Sequence, residues 1–138
     1  MDIKISENTL LSREDFKKLA FKRDNYTCVF CPNEAVDAHH IYDRKLFPDG
    51  GYYLGNVASV CSDCHWKCEK TIFTVEDVVE KAKIENVVKP SCLDNDKIYD
   101  KWGNELLGDG YRKKGPLFND DGVQKIFKMQ NMLWLFVP

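Results

Sequence analysis

Four of the six cysteines in the chain form two matched pairs. Two residues separate Cys28 from Cys31 and Cys61 from Cys64, and 29 residues lie between the pairs. Each C-x2-C turn directs two thiolates to one point, so two turns supply the four tetrahedral ligands of a closed structural zinc site. A spacer of this length must itself be folded. The alternative is that these cysteines are buried as small apolar side chains, which suits a single cysteine better than two matched pairs.

The remaining two cysteines, Cys68 and Cys92, have no such spacing. Cys68 follows Cys64 by one helical turn and could compete with it as a ligand. We expect instead that Cys68 and Cys92 are ordinary thiols, buried or half-buried.

The composition of the 138 residues is that of a globular protein. Hydrophobic residues make up 43% and charged residues 30%, which excludes a disordered acidic chain. The 20 Lys and Arg against 22 Asp and Glu give a formal net charge of −2, which excludes a cationic protein that coats nucleic acid by bulk charge. The length predicts one domain, or one domain with an appendage. Any contact with nucleic acid must therefore depend on local groups.

The sequence shows neither a targeting signal nor a membrane-spanning segment. Asp2, Lys4 and Glu7 lie where a signal peptide would have its apolar run. The longest apolar stretch, residues 132–138, is far shorter than the ~20 residues that cross a bilayer. We therefore expect a cytoplasmic protein with no membrane partner, in which the cysteines are reduced and bind metal.

Local patterns predict short helices and strands around the two cysteine pairs. Runs rich in β-forming residues predict strands at 26–31 and 35–41, and Gly and Pro make 42–55 a loop. Capping patterns and apolar spacing predict four helices, which begin after Ser12, at Asn56, after Thr74 and at Asp121. The second helix is expected to end near Lys70, the third before Lys89 and the fourth near Met132. Residues beyond Pro90 are otherwise rich in loops.

All three histidines lie within or beside the cysteine frame. His39 and His40 are adjacent on a predicted strand, so their side chains point to opposite faces. One imidazole can then bind a metal while the other faces a substrate. His65 directly follows Cys64, on the helix that zinc would hold against this strand, so it can approach the same metal from the other side.

The combined pattern resembles the HNH endonucleases, which have a ββα-metal (His-Me finger) fold. The resemblance covers residues 22–72, about a third of the chain, and is carried by the runs Val36–Ile41, Gly55–Cys61 and Cys64–His65. Some phage and bacterial members of the family are also similar in Arg44–Tyr53 and in Tyr99–Gly103.

The resemblance implies an α+β fold with a small zinc-stabilised ββα-metal core, flanking helices and a loop-rich C-terminal extension. Residues 1–75 would form the HNH nuclease core with its preceding helix. Residues 76–138 would form a helix and a loop-rich extension packed on that core. The implied activity is metal-dependent hydrolysis of DNA phosphodiester bonds, in a bacterium or a phage-infected host cell.

Carried over residue by residue, the resemblance makes His39 and His65 ligands of a catalytic divalent cation and His40 the general base. An imidazole can take a proton from water near neutral pH. A cation held by neutral imidazoles binds the scissile phosphate and stabilises the charge on phosphorus and on the leaving 3′ oxygen. Asn56 takes the middle position of the motif. It is expected to bond the backbone of the histidine-bearing loop and fix the His40 ring, with direct or water-mediated metal contact as the competing role.

The identity of the catalytic metal and the role of Asp37 stay open in the sequence. Two imidazoles suit a transition ion such as Mn²⁺, Ni²⁺ or Zn²⁺, although Mg²⁺ is common in this family. Asp37 lies two residues before His39, on the same strand face. It could be a third ligand, a hydrogen-bond partner of an imidazole, or a solvated turn residue.

Two basic residues and the apolar C-terminal tail indicate which partners the protein could bind. Arg44 and Lys45 follow the candidate base by four and five residues, and we expect them to contact phosphate. The expected partner is nucleic acid, most of all double-stranded DNA. The apolar tail 132–137 needs a surface to pack on, which suggests a homodimer or a larger nucleic-acid-processing assembly.

The competing function is a non-catalytic zinc module that binds nucleic acid or a protein, which the near-zero net charge favours slightly.

Overall fold

The computed structural model describes residues 5–138 and has an α+β architecture. Asp2 and Lys4, on which part of the targeting argument rests, lie outside the described residues. The elements in chain order are α1 (Arg13–Arg23), β1 (Asp37–His40), β2 (Val57–Val60), α2 (Ser62–Glu69), α3 (Val75–Lys81), β3 (Glu105–Leu106), β4 (Arg112–Lys113) and α4 (Asp121–Met129). Short 3-10 turns lie at Arg44–Leu46, Leu54–Asn56 and Leu133–Leu135.

Three of the four helices in the described residues begin where the sequence predicts, each after a residue whose side chain caps the first turn. The Ser12 hydroxyl accepts a hydrogen bond from the Asp15 backbone N–H. Thr74 and Asp77 form a full reciprocal capping box at the start of α3. The Asp120 carboxylate accepts a bond from the first turn of α4. Each cap satisfies a backbone donor that the helix itself leaves without a partner.

The strands β1 and β2 pair antiparallel, with His39 opposite Ala58 and His40 opposite Val57. The prediction of a helix from Asn56 is therefore wrong over 57–60, and helix α2 begins only at Ser62. All four residues of β2 are buried. A short, largely apolar run, in which polar and apolar residues do not alternate, is typical of a buried strand and of a buried helix alike. The histidines thus lie on a two-stranded sheet that leads directly into α2.

The predicted strand at 26–31 is also corrected by the structure. Thr27 forms an isolated antiparallel bridge with Glu34, and the backbone bends over residues 29–33 between them. A tight reversal is what a C-x2-C pair requires if both thiols are to face one point. The second predicted strand is present but shorter, at Asp37–His40.

Helix α1 is fastened to the sheet by two charged residues at its C-terminal end. The Arg23 guanidinium donates to the backbone carbonyls of Leu54 (2.8 Å) and Val57 (2.7 Å). It also pairs with the Asp24 carboxylate, which accepts a bond from the Ser59 backbone N–H at 3.1 Å. These bonds fix α1 against β2, so the face of α1 that carries Phe16 lies over the His40 side of the sheet.

The main apolar cluster joins the two segments that the sequence separates at residue 75. Helix α3 begins at that boundary. The division into residues 1–75 and 76–138 stays a prediction, and residues on both sides of this boundary share one apolar interior. The buried members of this cluster are Ile41, Tyr42, Leu46, Ala58, Cys68, Val75, Val78, Ala82, Ile84, Leu93 and Tyr99.

A buried polar network centred on Asp100 organises the extension. The Asp100 carboxylate accepts bonds from the backbone N–H groups of Trp102 (2.9 Å) and Asn104 (3.0 Å) and from the Asn104 side chain (3.0 Å). It also pairs with the Arg112 guanidinium at 2.9 Å. Arg112 reaches on to the Thr71 hydroxyl at 3.2 Å, which connects the extension to the segment after α2.

Replacing Arg112 with Ala should lower the free energy of unfolding by about 3–5 kcal/mol, because it leaves the Asp100 carboxylate buried without its cation. The side chains of Arg112 and Asp100 are 12% and 2% exposed. Lys97→Ala is the matched control, since Lys97 pairs with Asp94 near the surface and should contribute about 0–1 kcal/mol. Urea titration of both variants measures the difference. Equal small losses would contradict the structural role given to Arg112.

The apolar tail packs largely on its own chain, so the tail by itself does not require a further subunit, and assembly with a partner stays a prediction. The Phe136 ring lies 5.0 Å from that of Phe127 on α4, and Phe136 bridges to Arg112 in parallel. Trp134 is the exception, with 65% of its surface exposed. No helix within residues 5–138 has the length and apolar character needed to cross a bilayer.

Candidate metal centres and the adjoining cavity

The four paired cysteines meet at one point, as the sequence predicts. One sulfur from each of Cys28, Cys31, Cys61 and Cys64 lies within 4.8 Å of the others. The Sγ atom of Cys31 lies 3.6 Å from that of Cys61 and 3.9 Å from that of Cys64. The turn after α1 supplies the first pair, and the junction of β2 with α2 supplies the second. The cluster is therefore arranged to bind a metal ion and is consistent with structural zinc.

Local bonding favours the thiolate at one of the four cysteines, Cys61. The backbone N–H of Cys64 lowers the pKa of the Cys61 thiol to about 7, against the opposing effect of burial. Burial and the neighbouring Cys61 raise the pKa of the Cys64 thiol. Four thiolates in one place repel one another, so their joint deprotonation needs a cation. Metal binding at this cluster would therefore be coupled to deprotonation of the cysteines.

The two remaining cysteines differ from each other. Cys68 is buried, as expected, and burial raises the pKa of its thiol to about 12. It lies outside the four-sulfur group. Cys92 is exposed, so the expectation of a buried or half-buried thiol is wrong for this residue.

A second group of potential metal ligands consists of His39, His65 and Glu69. One ligand atom from each lies within 4.8 Å of the other two. The Oε1 atom of Glu69 is 3.2 Å from Nε2 of His65 and 3.7 Å from Nδ1 of His39. The imidazole rings of the two histidines are edge-to-face with centroids 5.2 Å apart. Strand β1 supplies one ligand and helix α2 supplies the other two.

The His39 side chain fits a metal ligand by an independent observation. It is 2% exposed, and its Nδ1 atom is buried with no hydrogen-bond partner in residues 5–138. Burial lowers the pKa of His39 well below its usual value, which keeps the ring neutral. A buried polar atom without a partner is unfavourable. A divalent cation between Nδ1 and the Glu69 carboxylate would satisfy it.

His65 is oriented by Asp37. The His65 Nδ1 atom lies 3.0 Å from Oδ2 of Asp37, and the carboxylate can only accept, so Nδ1 carries the hydrogen. Nε2 faces Glu69, to which it donates a hydrogen bond when the ring is protonated. The hydrogen bonds to Glu69 and Asp37 raise the pKa of His65 against the effect of burial. A metal-binding histidine commonly donates its other N–H to a carboxylate. The geometry therefore favours Asp37 as a hydrogen-bond partner of the His65 imidazole, and not as a third metal ligand or a solvated turn residue.

Glu69 is the residue of this group that the sequence analysis missed. Burial tends to raise the pKa of its carboxyl, but the hydrogen bond from His65 and the charge of Lys101 outweigh burial and hold it well below its usual range. The carboxylate is thus ionised and available as a ligand. Its sequence signal is the spacing of four from His65, which places both side chains on one helix face.

His40 points to the opposite side of β1 from His39 and is held by the glycine loop. Its Nε2 atom lies 3.1 Å from the Gly50 carbonyl, so Nε2 carries the hydrogen and Nδ1 is left as the acceptor. The rings of Phe16 and Tyr52 lie 4.7 and 5.2 Å from it. Burial lowers the pKa of His40 below its usual value, so the ring is neutral near pH 7.

The loop that holds His40 requires glycine. Gly50 and Gly51 have φ values of +87° and +70°, in the left-handed region. A Cβ on Gly50 would lie 2.6 Å from the Tyr52 ring, and one on Gly51 would lie 2.5 Å from the Phe47 ring. This conformation turns the Gly50 carbonyl toward His40.

Asn56 is fully buried and bonds the backbone on both sides of this loop. Its Oδ1 atom accepts from the Tyr42 N–H at 2.8 Å, and its Nδ2 atom donates to the carbonyls of Tyr42 and Gly51, each at 3.1 Å. Asn56 therefore ties the end of β1 to the loop that positions His40. The geometry favours this positioning role over contact with a metal.

A cavity of about 430 Å³ lies between His40 on one side and His65 with Glu69 on the other. Arg44 is in its wall, whereas Lys45 is not, and the Lys45 ammonium pairs with Asp120 at 2.7 Å. The placement of Lys45 thus does not support the expected phosphate contact. The charged side chains of the wall are four basic, Arg13, Lys17, Arg44 and Lys101, and three acidic, Asp37, Asp43 and Glu69.

This balance of charge favours an anion in the cavity. The wall has a formal charge of +1, in a chain whose net charge is −2. A divalent cation on His39, His65 and Glu69 would make the region more positive still. Local groups can therefore attract a phosphate although the protein as a whole is slightly acidic.

Comparisons of the chain with protein-family profiles, with curated proteins and with solved structures find no match. The resemblance to the HNH endonucleases therefore rests on the residues of this chain and on their geometry alone.

Proposed function

We propose that the protein is a metal-dependent HNH endonuclease with a ββα-metal fold, which hydrolyses DNA phosphodiester bonds. The observation that carries the proposal is the arrangement around the cavity. The neutral imidazole of His40 lies on one side, and the His39, His65 and Glu69 ligand group lies on the other. The order β1, β2, α2, with a four-cysteine cluster at its base, supports the same fold.

In the proposed reaction, His40 accepts a proton from a water molecule through Nδ1. The Gly50 carbonyl holds the other ring nitrogen, and Asn56 holds the loop that carries Gly50. The water oxygen forms a bond to phosphorus, and the bond from phosphorus to the 3′ oxygen breaks. The leaving 3′ oxygen takes a proton from solvent water, so the products are a 5′-phosphate and a 3′-hydroxyl.

The other residues of the cavity bind and orient the phosphate. The Arg44 guanidinium, in the wall beside His40, donates hydrogen bonds to phosphate oxygens. A divalent cation held by His39, His65 and Glu69 would stabilise the negative charge that develops on phosphorus and on the leaving oxygen. Asp37 keeps the His65 ring in the tautomer that binds such a cation.

Cleavage of supercoiled plasmid DNA tests the proposal. The zinc-loaded protein is incubated with the plasmid and Mg²⁺, Mn²⁺ or Ni²⁺ in separate reactions. Conversion to nicked and linear forms is expected with at least one of these cations and should stop on addition of EDTA. Intact plasmid with all three cations would refute the proposed activity.

A non-catalytic zinc module is the second candidate, favoured by the net charge of −2. Such a module would hold metal at the four cysteines only. The count of metal ions per chain separates the two functions, because the nuclease binds a second, exchangeable cation at the His39 group. A count of two ions in excess metal would argue against the simple module.

Replacing Glu69 with Ala should weaken Mn²⁺ binding more than replacing Asp37 with Asn. Asp37→Asn removes a partner of a ligand, which typically weakens metal binding by about 10- to 100-fold. Glu69→Ala removes the carboxylate on which both histidines converge. Isothermal titration with Mn²⁺ measures both affinities. If Glu69→Ala binds Mn²⁺ as the wild type does, Glu69 is not a ligand.

A further inference from the structure

Lys101 is a buried lysine whose ammonium reaches the candidate metal centre from the C-terminal extension. The residue is 6% exposed, and its Nζ atom lies 2.7 Å from Oε1 of Glu69. Nζ also lies 5.4 Å from the centre of the Trp102 ring. The lysine lines the same cavity as His40 and Arg44.

The backbone on both sides of Lys101 is fixed. The Lys101 carbonyl accepts a hydrogen bond from the Asp43 N–H at 2.9 Å. The preceding residue, Asp100, is the centre of the buried network with Asn104 and Arg112. The position of the ammonium is therefore set by the fold and not by the flexibility of a surface side chain.

The ion pair with Glu69 does not satisfy all the hydrogen-bond donors of the buried Lys101 ammonium. The group has three N–H donors, and only Glu69 accepts from it within residues 5–138. Burying a charge is unfavourable unless its donors are satisfied. The Glu69 oxygen that Lys101 contacts is also the one nearest both histidines. One carboxylate cannot neutralise both a divalent cation and a lysine, so the charge balance calls for an anion beside them.

We propose that Lys101 is a catalytic residue that binds a non-bridging oxygen of the scissile phosphate. This inference rests on the proposed nuclease function and names a residue of its site. Lys101 shares Glu69 with the metal position and places its remaining N–H donors in the cavity that His40 and Arg44 also line. The C-terminal extension thus completes the site, since residues 1–75 alone lack this group.

Two variants and one control test this role. Lys101→Met removes the charge and keeps the length of the side chain, Lys101→Arg keeps the charge, and Lys97→Met changes an exposed lysine of the same segment. Three quantities are measured for each protein: the midpoint of thermal unfolding, the affinity for Mn²⁺ without DNA, and the single-turnover rate of cleavage of a duplex oligonucleotide.

Lys101→Met should bind Mn²⁺ more tightly, by roughly tenfold or more, because a cation no longer competes for Glu69. The same variant should cleave about 100- to 1,000-fold more slowly, the usual effect of removing one donor to the reacting phosphate or oxyanion. Lys101→Arg should recover part of the rate, and Lys97→Met should behave as the wild type. A purely structural lysine would instead lower the unfolding midpoint, Mn²⁺ affinity and rate together.

If the wild type cleaves DNA, the nuclease function stands. In that case, unchanged cleavage by Lys101→Met, or weaker Mn²⁺ binding by this variant, would overturn the role of Lys101. If the wild type does not cleave, the proposed function fails. The role of Lys101 as an anion-binding group is then judged by the affinity of each protein for the duplex in Ca²⁺. Equal affinities of the wild type and Lys101→Met would overturn it there too.

Discussion

Replacing His40 with Ala is expected to lower the rate of DNA cleavage by about 10²- to 10⁴-fold, the contribution of a positioned general base. The neutral ring, held at Nε2 by the Gly50 carbonyl, presents Nδ1 as the proton acceptor in the proposed reaction. Alanine leaves an ordinary water molecule to lose its proton without help. Single-turnover cleavage of a duplex at saturating Mn²⁺ measures the loss.

His39→Ala is the matched control for this experiment, because it changes the neighbouring imidazole on the opposite face of β1. We expect His39→Ala to lose Mn²⁺ binding, whereas His40→Ala should bind Mn²⁺ as the wild type does. The two losses of activity would then have different causes. Undiminished cleavage by His40→Ala, or loss of Mn²⁺ binding by that variant, would contradict the assignment of His40 as the base.

Removing the zinc-binding cysteines should have the largest effect on stability. Structural zinc contributes about 10–16 kcal/mol of binding free energy to a small domain. This exceeds or matches the roughly 5–15 kcal/mol that separates a typical folded domain from its unfolded state. The four sulfurs join the turn after α1 to the start of α2 across 29 intervening residues. Cys61→Ser should therefore lose zinc and unfold, or melt at a far lower temperature.

Cys92→Ser is the control for Cys61→Ser, because Cys92 is exposed and lies outside the sulfur cluster. Cys61 is the N-cap residue of α2. Serine is a favoured N-cap, so a loss of stability in Cys61→Ser cannot be attributed to the cap. Thermal unfolding and zinc content are measured for both. If both variants retain zinc and melt alike, the cysteine cluster is not the structural centre.

Helices α1, α3 and α4 could be predicted from the sequence because their ends carry local signals. Ser12, Thr74 and Asp120 satisfy backbone donors within their own first turns, so the bonding depends only on neighbouring residues. The apolar spacing after Asp121 predicts a helix to about Met132, and the helix ends three residues earlier, at Met129.

Strand β2 could not be predicted because its conformation depends on distant partners. All four of its residues are buried, the polar Ser59 included, so no exposed position alternates with a buried one. Its pairing with β1 and its bonds to Arg23 and Asp24 are made by residues far away in the chain.

The candidate site was only partly visible in the sequence. The sequence identifies the cysteine pairs and the three histidines by their spacing. The structure brings the four cysteines together and groups His39 and His65 with Glu69, whereas His40 lies apart and bonds the Gly50 carbonyl. Glu69 had a usable signal in its spacing from His65. Lys101 had none, because its contact with Glu69 spans 32 residues and depends on how the extension folds back over the core.

The fate of water oxygen during cleavage tests the central claim most directly. A short duplex is cleaved in H₂¹⁸O with Mn²⁺, and the product ends are examined by mass spectrometry. Attack by a His40-activated water predicts 3′-hydroxyl ends and 5′-phosphate ends that carry one ¹⁸O atom. No cleavage, unlabelled ends after a single turnover, or 3′-phosphate ends would contradict the account.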